Sequence, residues 1–468
     1  MFNDDVLYLS VRELSEQIKS GKLSPVALTE AYLQRSQNLG PRFNAYATLT
    51  PDRALREARE AEAEIRSGKY RGPLHGMPYA AKDLLAAKGY PTTWGARPYA
   101  KQQFDYDATV IAKLRDAGAV LIGKAAMIEL AGSFGYRYAA ASLTGPGRNP
   151  WNDKHWAGGS SSGSGIIASA ALAPFAIGTE TWGSILCPSS FCGVSGLRPT
   201  YGRVSRHGGM TVSASMDKIG VLARTIDDCA IVFAVIAGHD PLDASSRPDA
   251  AYTDHTEPPA KPIRVGWCVN AYKKMAPDVS AVLNKARASL TGPNVTVADA
   301  KLPEGGPWDE AAGTVLSVEA ASAFEALLDS GRVAELDDPL QRIGGYVARM
   351  IPNGDYLRAQ RIRAVMQRKI DELFDQFDVL AAASFPIPSS PIEANLEGEE
   401  FDFADPLGAF GNFCGLPAVS VPCGFSKEKL PLGLQFVARA MDDGKSLAAG
   451  RLFQRLTDWH TKRPPVKV

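Results

Sequence analysis

Two serines and one lysine are the residues best placed to do chemistry. Ser160 lies in the run Gly158-Gly159-Ser160-Ser161-Ser162-Gly163-Ser164-Gly165, and Ser184 follows 24 positions later in Gly178-Thr179-Glu180-Thr181-Trp182-Gly183-Ser184-Ile185. Small residues around two separated serines suggest backbone N–H groups arranged to hold a developing negative charge, with one hydroxyl attacking and the other relaying its proton. A serine hydroxyl at its ordinary pKa is a weak nucleophile, so a base is needed. Lys82 closes the mostly apolar run Met77-Pro78-Tyr79-Ala80-Ala81-Lys82, and a lysine desolvated in such a place becomes a neutral amine that can accept a proton. Ser–Lys pairs can take the place of Ser–His in acyl transfer.

With these residues in view, the chain resembles the amidase signature family of serine hydrolases. The resemblance is carried by the lysine segment 72–95, Leu121-Ile122-Gly123-Lys124 with Met127 and Glu129, Arg148-Asn149-Pro150-Trp151, and the Gly/Ser segment 158–165. It continues through Gly178 to Ser184, Phe191-Cys192-Gly193, Gly196 to Ser205, and Gly415-Leu416-Pro417-Ala418 with Val421-Pro422. These blocks occur in the family's order and span nearly the whole chain. The resemblance implies Ser184 as nucleophile, Ser160 as a bridging serine after a cis peptide with Gly159, and Lys82 as base. It also implies an oxyanion hole from the N–H groups of Thr181, Trp182, Gly183 and Ser184. Met127, Gly158, Gly159, Tyr136 and Tyr138 are expected at the substrate, with Phe134 and Phe385 as further pocket aromatics. The implied reaction is hydrolysis of amide C–N bonds through an acyl-enzyme, with no cofactor and no metal.

Other motif matches are weaker. Gly159-Ser160-Ser161-Ser162-Gly163 fits a nucleophile elbow centred on Ser161, but His155-Trp156-Ala157 is a poor buried strand to lead into one. Gly118 to Lys124 fits most of a phosphate-binding loop, yet Ala125 stands where a hydroxyl is needed and Ala119-Val120-Leu121-Ile122 reads as a buried strand. Gly163-Ser164-Gly165-Ile166-Ile167-Ala168 matches a dinucleotide fingerprint without a clear preceding strand. The six cysteines lack C-x-x-C pairs and read as free and buried. No histidine pair has metal-ligand spacing, and His75 and His155 read as structural hydrogen-bonding groups.

Composition fits a soluble enzyme. The 468 residues are 45% hydrophobic and carry 51 basic and 51 acidic side chains, so the net charge of zero gives no field to attract nucleic acid or membrane. The N-terminus, Met1-Phe2-Asn3-Asp4-Asp5, lacks the features of a signal peptide. The longest apolar stretch, Ile166 to Ile177, is too short to span a bilayer and reads as a buried helix leading into a strand. A cytoplasmic monomer or homodimer acting on a small-molecule amide, ester or carbamate is the expectation.

The elements that position these groups follow from pattern. Helices are predicted from Ser10, from Pro25 to Leu39 and from Asp52 to Ser67. Between residues 77 and 235 short apolar runs alternate with helical segments, as in an α/β protein. The resemblance implies one large domain, 1–468, with a central mixed β-sheet covered by helices on both faces. N-terminal helices occupy about 8–70 and a catalytic core about 72–235. A variable segment at about 295–360, helix-like from Glu310 to Leu328 and irregular toward Gly354-Asp355-Tyr356, is expected to shape the substrate pocket.

Departures from the family pattern bear on substrate. Many members have Asp-Thr-Gly-Gly-Ser-Ile-Arg around the nucleophile, where this chain has Glu180-Thr181-Trp182-Gly183-Ser184-Ile185-Leu186. Leu186 removes a cation and favours a neutral, apolar acyl or aryl group over glutamine, unless Arg137 or Arg363 supplies the charge. The leading expectation is therefore a stand-alone hydrolase of neutral amides, including anilides, with ester and urethane cleavage open. The alternatives are the glutaminase subunit of a tRNA-dependent amidotransferase and a non-catalytic protein that keeps the fold.

Overall fold

Short apolar runs such as Pro78–Lys82 and Val120–Ala125 are strands buried along their whole length, as segments too short for helices and lacking a polar face must be. The computed structural model describes residues 4–254, 261–398 and 405–466. Its strands are β1 (Tyr46–Leu49), β2 (Pro78–Lys82), β3 (Val120–Ala125), β4 (Arg148–Asn149), β5 (Asn152–Trp156), β6 (Phe175–Glu180), β7 (Ser195–Arg198), β8 (Lys218–Ala223), β9 (Ile263–Cys268), β10 (Val295–Ala300), β11 (Val379–Ala383), β12 (Ala418–Phe425) and β13 (Pro431–Ala438). One mixed sheet of 11 strands, ordered β1-β3-β2-β6-β8-β7-β12-β13-β11-β9-β10, runs through a single domain flanked by helices. β2 lies parallel to both β3 and β6, while β8 returns antiparallel to β6 and β7.

The N-terminal helices form where capping chemistry places them. Ser10 and Glu13 make a reciprocal capping box at the start of Val11–Lys19, satisfying two otherwise orphaned N–H groups. The helix predicted from Pro25 to Leu39 extends to Phe43 and ends at Asn44 in the left-handed conformation. The helix Pro51–Arg66 buries Arg53, Ala54, Ala58 and Ala61. The 8–70 region is not wholly helical, because β1 lies within it and pairs antiparallel with β3 at the edge of the sheet.

Gly118 to Lys124 builds β3, not a phosphate cradle. Ile166 to Ile177 divides into the end of the helix Ser162–Ser169 and the start of β6. β5 does lead toward Ser161, but it pairs with β4 in a separate two-stranded sheet and bridges to Pro391 instead of joining the main sheet. The stretch read as irregular toward Gly354-Asp355-Tyr356 is so only in part: turns, a short 3-10 helix and bends occupy 330–338, and the helices Pro339–Arg349 and Asn353–Gln376 follow. Two of its glycines permit close packing. A Cβ on Gly344 would lie 2.3 Å from the Phe134 carbonyl oxygen, and one on Gly345 would lie 2.6 Å from Leu328.

The six cysteines are buried and free of disulfides. No helix among the described residues is long and apolar enough to cross a membrane.

Candidate active site

Lys82 and Asp83 are adjacent on the chain but serve different partners. Asp83 Oδ1 accepts from Lys124 Nζ at 3.0 Å, and Asp83 Oδ2 accepts from the Thr93 backbone N–H at 3.0 Å. Lys82 has no carboxylate within ion-pair distance among the described residues. Its amine is fully buried and lies 2.8 Å from Ser160 Oγ and 3.0 Å from Thr179 Oγ1. Burial lowers its pKa from 10.5 to about 7, against the weaker pull of Asp217 and Glu180. An amine of this kind is substantially neutral near pH 7 and can accept a proton.

Ser160 follows Gly159 through a cis peptide bond. Its hydroxyl lies 3.0 Å from Ser184 Oγ, so Lys82, Ser160 and Ser184 form one hydrogen-bonded chain. Gly163, in the helix that follows, permits a close approach to β3. A Cβ there would lie 2.4 Å from both the Ala126 N and the Ala45 O.

The loop carrying Ser184 is tethered on both sides. Thr181 Oγ1 donates to Asp217 Oδ1 at 2.6 Å, and Lys218 Nζ donates to the Thr181 carbonyl at 3.3 Å. Burial raises Asp217 and lowers Lys218. Downstream, Glu180 Oε2 accepts from Ile185 N at 2.8 Å and Leu186 N at 3.0 Å, while Glu180 Oε1 meets Arg198 Nη1 at 2.7 Å. Burial opposes ionisation of Glu180, but Arg198 and Lys218 hold its carboxyl below the ordinary range. Gly183, at φ +77°, provides the turn before Ser184, a conformation that glycine adopts without Cβ strain. Trp182 does not take a positive φ, so its Cβ is tolerated. Among the described residues, the N–H groups of Trp182, Gly183 and Ser184 have no protein acceptor. Such a row of free donors beside a hydroxyl can stabilise an oxyanion.

Beside this loop is a cavity of about 440 Å³. Tyr136, Trp156, Trp182, Leu186, Phe191 and Phe385 give it an aromatic and aliphatic wall, and Tyr272, Asp309, Asp405, Asn412 and Gln435 line its polar side. Trp182 Nε1 donates to Asp405 Oδ2 at 3.0 Å. Burial raises the Asp405 carboxyl to about 7 despite that hydrogen bond. Cys187 also lines the cavity, with burial pushing its thiol up to about 12, so it is a poor nucleophile there.

The expected substrate residues divide into two groups. Gly159, Tyr136 and Phe385 line the cavity. Met127 is buried and accepts from Ser142 Oγ through its carbonyl, and Tyr138 is exposed; neither lines the cavity. Gly158 packs against Pro188 and Cys187, and Phe134 packs edge-on against Phe324. Of the 295–360 segment only Asp309 lines the cavity, while Ser384, Phe385, Leu396, Glu397, Asp405, Gly408 and Asn412 supply much of the wall. Neither arginine that could have replaced the missing cation lines the cavity, and Arg137 is exposed. Arg363 donates to the Ser215 carbonyl and lies over Phe413, and the Arg137 backbone N–H donates to Asp338. Among the described residues, Arg198 is the cation that lines the cavity. Thr179, Asp217, Arg198 and Asp405 escaped the sequence reading as site residues because only strand pairing and loop packing bring them to the site.

No cluster of three or more His, Cys, Asp or Glu among the described residues could hold a metal ion. The amidase family model matches residues 27–447. A glutamyl-tRNA(Gln) amidotransferase component from Chloroflexus aggregans is 36% identical over 98% of this chain and 98% of that protein. The crystal structure of native peptide amidase from Stenotrophomonas maltophilia superposes with a TM-score of 0.85 at 31% identity, covering 98% of each chain. A bacterial aryl acylamidase superposes with a TM-score of 0.88, covering 98% of this chain and 99% of its own, and at 23% identity it speaks to fold alone.

Proposed function

The chain belongs to the amidase family, whose members are hydrolases of C–N bonds, and from that premise we propose that it hydrolyses neutral amides through an acyl-enzyme on Ser184. The observation that carries this reading is the hydrogen-bonded chain from Lys82 Nζ through Ser160 Oγ to Ser184 Oγ. Ser184 Oγ attacks the carbonyl carbon as its proton passes to Ser160, and the proton of Ser160 passes to Lys82. The free N–H groups of the 182–184 loop receive the oxyanion, with Thr181 completing the hole in the family pattern. The C–N bond then breaks, and the relay returns a proton to the departing amine. Water repeats the sequence to release the acid.

The pocket chemistry favours a neutral substrate with an apolar or aromatic group. Its wall is aromatic, and Arg198, the cationic lining residue among those described, is already paired with Glu180. Arg198 Nη2 is buried without a hydrogen-bond acceptor and can meet a neutral substrate oxygen, whereas a carboxylate would bring a second negative charge beside Glu180. Esters and carbamates pass through similar tetrahedral intermediates and are included as further substrates.

A second reading, the glutaminase subunit of a tRNA-dependent amidotransferase, is favoured by the names of relatives 35–36% identical over nearly their full length. On that reading the chain works within an assembly, not as a monomer or homodimer.

The test is a panel of an anilide, an aliphatic amide, an aryl ester, an aryl carbamate and glutamine, assayed with the wild type and Ser184→Ala. Turnover of the neutral amides that vanishes in the variant supports the first reading. Glutamine as the sole substrate, with copurifying partner proteins, supports the second. Activity that survives in the variant refutes Ser184 as nucleophile.

A further inference from the structure

Lys82 has a polar neighbour outside the relay. Its amine lies 3.0 Å from Thr179 Oγ1 as well as 2.8 Å from Ser160 Oγ. A neutral primary amine has two N–H bonds and one lone pair, and rotation about Cε–Nζ can direct either kind toward a neighbour. To act as a base, Lys82 must present the lone pair to Ser160. An N–H turned toward Ser160 would reverse the hydrogen bond and block proton transfer.

Thr179 is held firmly enough to settle that choice. It lies in β6 and pairs with Ile219 of β8. Ser161 Oγ accepts from the Thr179 N–H at 3.2 Å and donates to the Thr179 carbonyl at 3.1 Å. The Ser161 backbone N–H in turn donates to the Ser184 carbonyl at 3.3 Å. Thr179 therefore shares one hydrogen-bonded frame with both serines.

We propose that Thr179 is a positioning residue, whose Oγ1 accepts an N–H from Lys82 and so turns the amine lone pair toward Ser160. The inference rests on the Ser184–Ser160–Lys82 reading and adds a residue to it. The charged groups acting on Lys82 are Asp217 and Glu180. Asp217 is engaged by Thr181 Oγ1 and by the Val212 and Ser213 N–H groups, and Glu180 by Arg198. Neither reaches the amine directly, so orientation is left to Thr179.

The experiment compares Thr179→Val, which keeps shape without the acceptor, with Thr179→Ser, which keeps the acceptor. Losing one neutral hydrogen bond that selects a rotamer predicts a fall in kcat of about tenfold for valine, with KM within about twofold. Serine should recover most of that loss. Removing an acceptor that also stabilises the ammonium moves the acid limb of the kcat/KM profile to lower pH in the valine protein. Valine at wild-type kcat, or serine no better than valine, overturns the proposal, as does an unmoved acid limb. If the valine protein melts at the assay temperature, Thr179→Cys, a weaker acceptor, replaces it under the same criteria. Ser184→Ala and Lys82→Met are assayed alongside. Turnover surviving in either overturns the relay and this inference with it, whereas an inactive pair beside a fully active valine protein overturns the role of Thr179 alone.

Discussion

Replacing Lys82 by methionine puts the neutral-lysine reading under direct thermodynamic test. The amine is fully buried, with Ser160 and Thr179 as its hydrogen-bond neighbours, and burial lowers its pKa from 10.5 to about 7. Between those two values the unfolded chain holds a proton on Lys82 that the folded protein has released. Wherever the unfolded state binds more protons, stability rises with pH. The destabilisation due to Lys82 is therefore fully present below about pH 7 and is relieved as pH climbs toward 10.5. At about 1.4 kcal/mol per pH unit this amounts to about 5 kcal/mol, an order-of-magnitude figure. Methionine keeps much of the stem and carries no proton. Reversible urea unfolding of both proteins from pH 6 to 10.5 should show methionine ahead at pH 6, with its advantage shrinking by several kcal/mol across the range. Parallel stability curves would mean that Lys82 titrates alike in the folded and unfolded protein, and the relay would then need a different base.

Other perturbations follow from the same contacts. Glu180→Gln leaves the buried Arg198 without its counter-charge, which should cost about 3–5 kcal/mol and lower kcat by loosening the Ser184 loop; an unchanged melting temperature would refute this. Gly163→Ala drives a Cβ to within 2.4 Å of two backbone atoms, so a loss of about 1–3 kcal/mol is expected in thermal melts, and a neutral result would show that the helix can shift at no cost. Trp182→Phe keeps the aromatic wall but removes the N–H that meets Asp405. Its KM should rise about threefold at unchanged kcat, and an equal fall in kcat would place Trp182 in the transition state instead of the binding wall.

Much of this protein is determined by local sequence. The apolar runs at 78–82 and 120–125 have no polar face to show to water and become buried strands wherever they pair. Ser10 with Glu13 caps the start of a helix from within the chain, although Asp228 also accepts from the Val11 N–H, and the family blocks mark Lys82, Ser160 and Ser184 because their spacing and small neighbours are visible along the chain. The stretch toward Gly354-Asp355-Tyr356, read as irregular, is helical from Pro339 to Arg349 and from Asn353, and there the lack of a side chain on Gly344 and Gly345 lets one helix approach Phe134 and Leu328. The pocket was less legible than the relay. Met127 and Tyr138 do not line the cavity, and among the described residues its wall owes more to 384–397 and 405–412 than to 295–360. Thr179 reaches Lys82 because β6 lies parallel to β2, Asp405 meets Trp182 from 223 residues away, and Arg198 finds Glu180 across the sheet. No periodicity encodes such encounters, because they depend on strand order and on which loops the folded sheet brings face to face. Sequence alone named the candidate lysine and serines and many of the elements that carry them, while the desolvation that lowers the Lys82 pKa and the partners that orient the site exist only once the chain has closed around them.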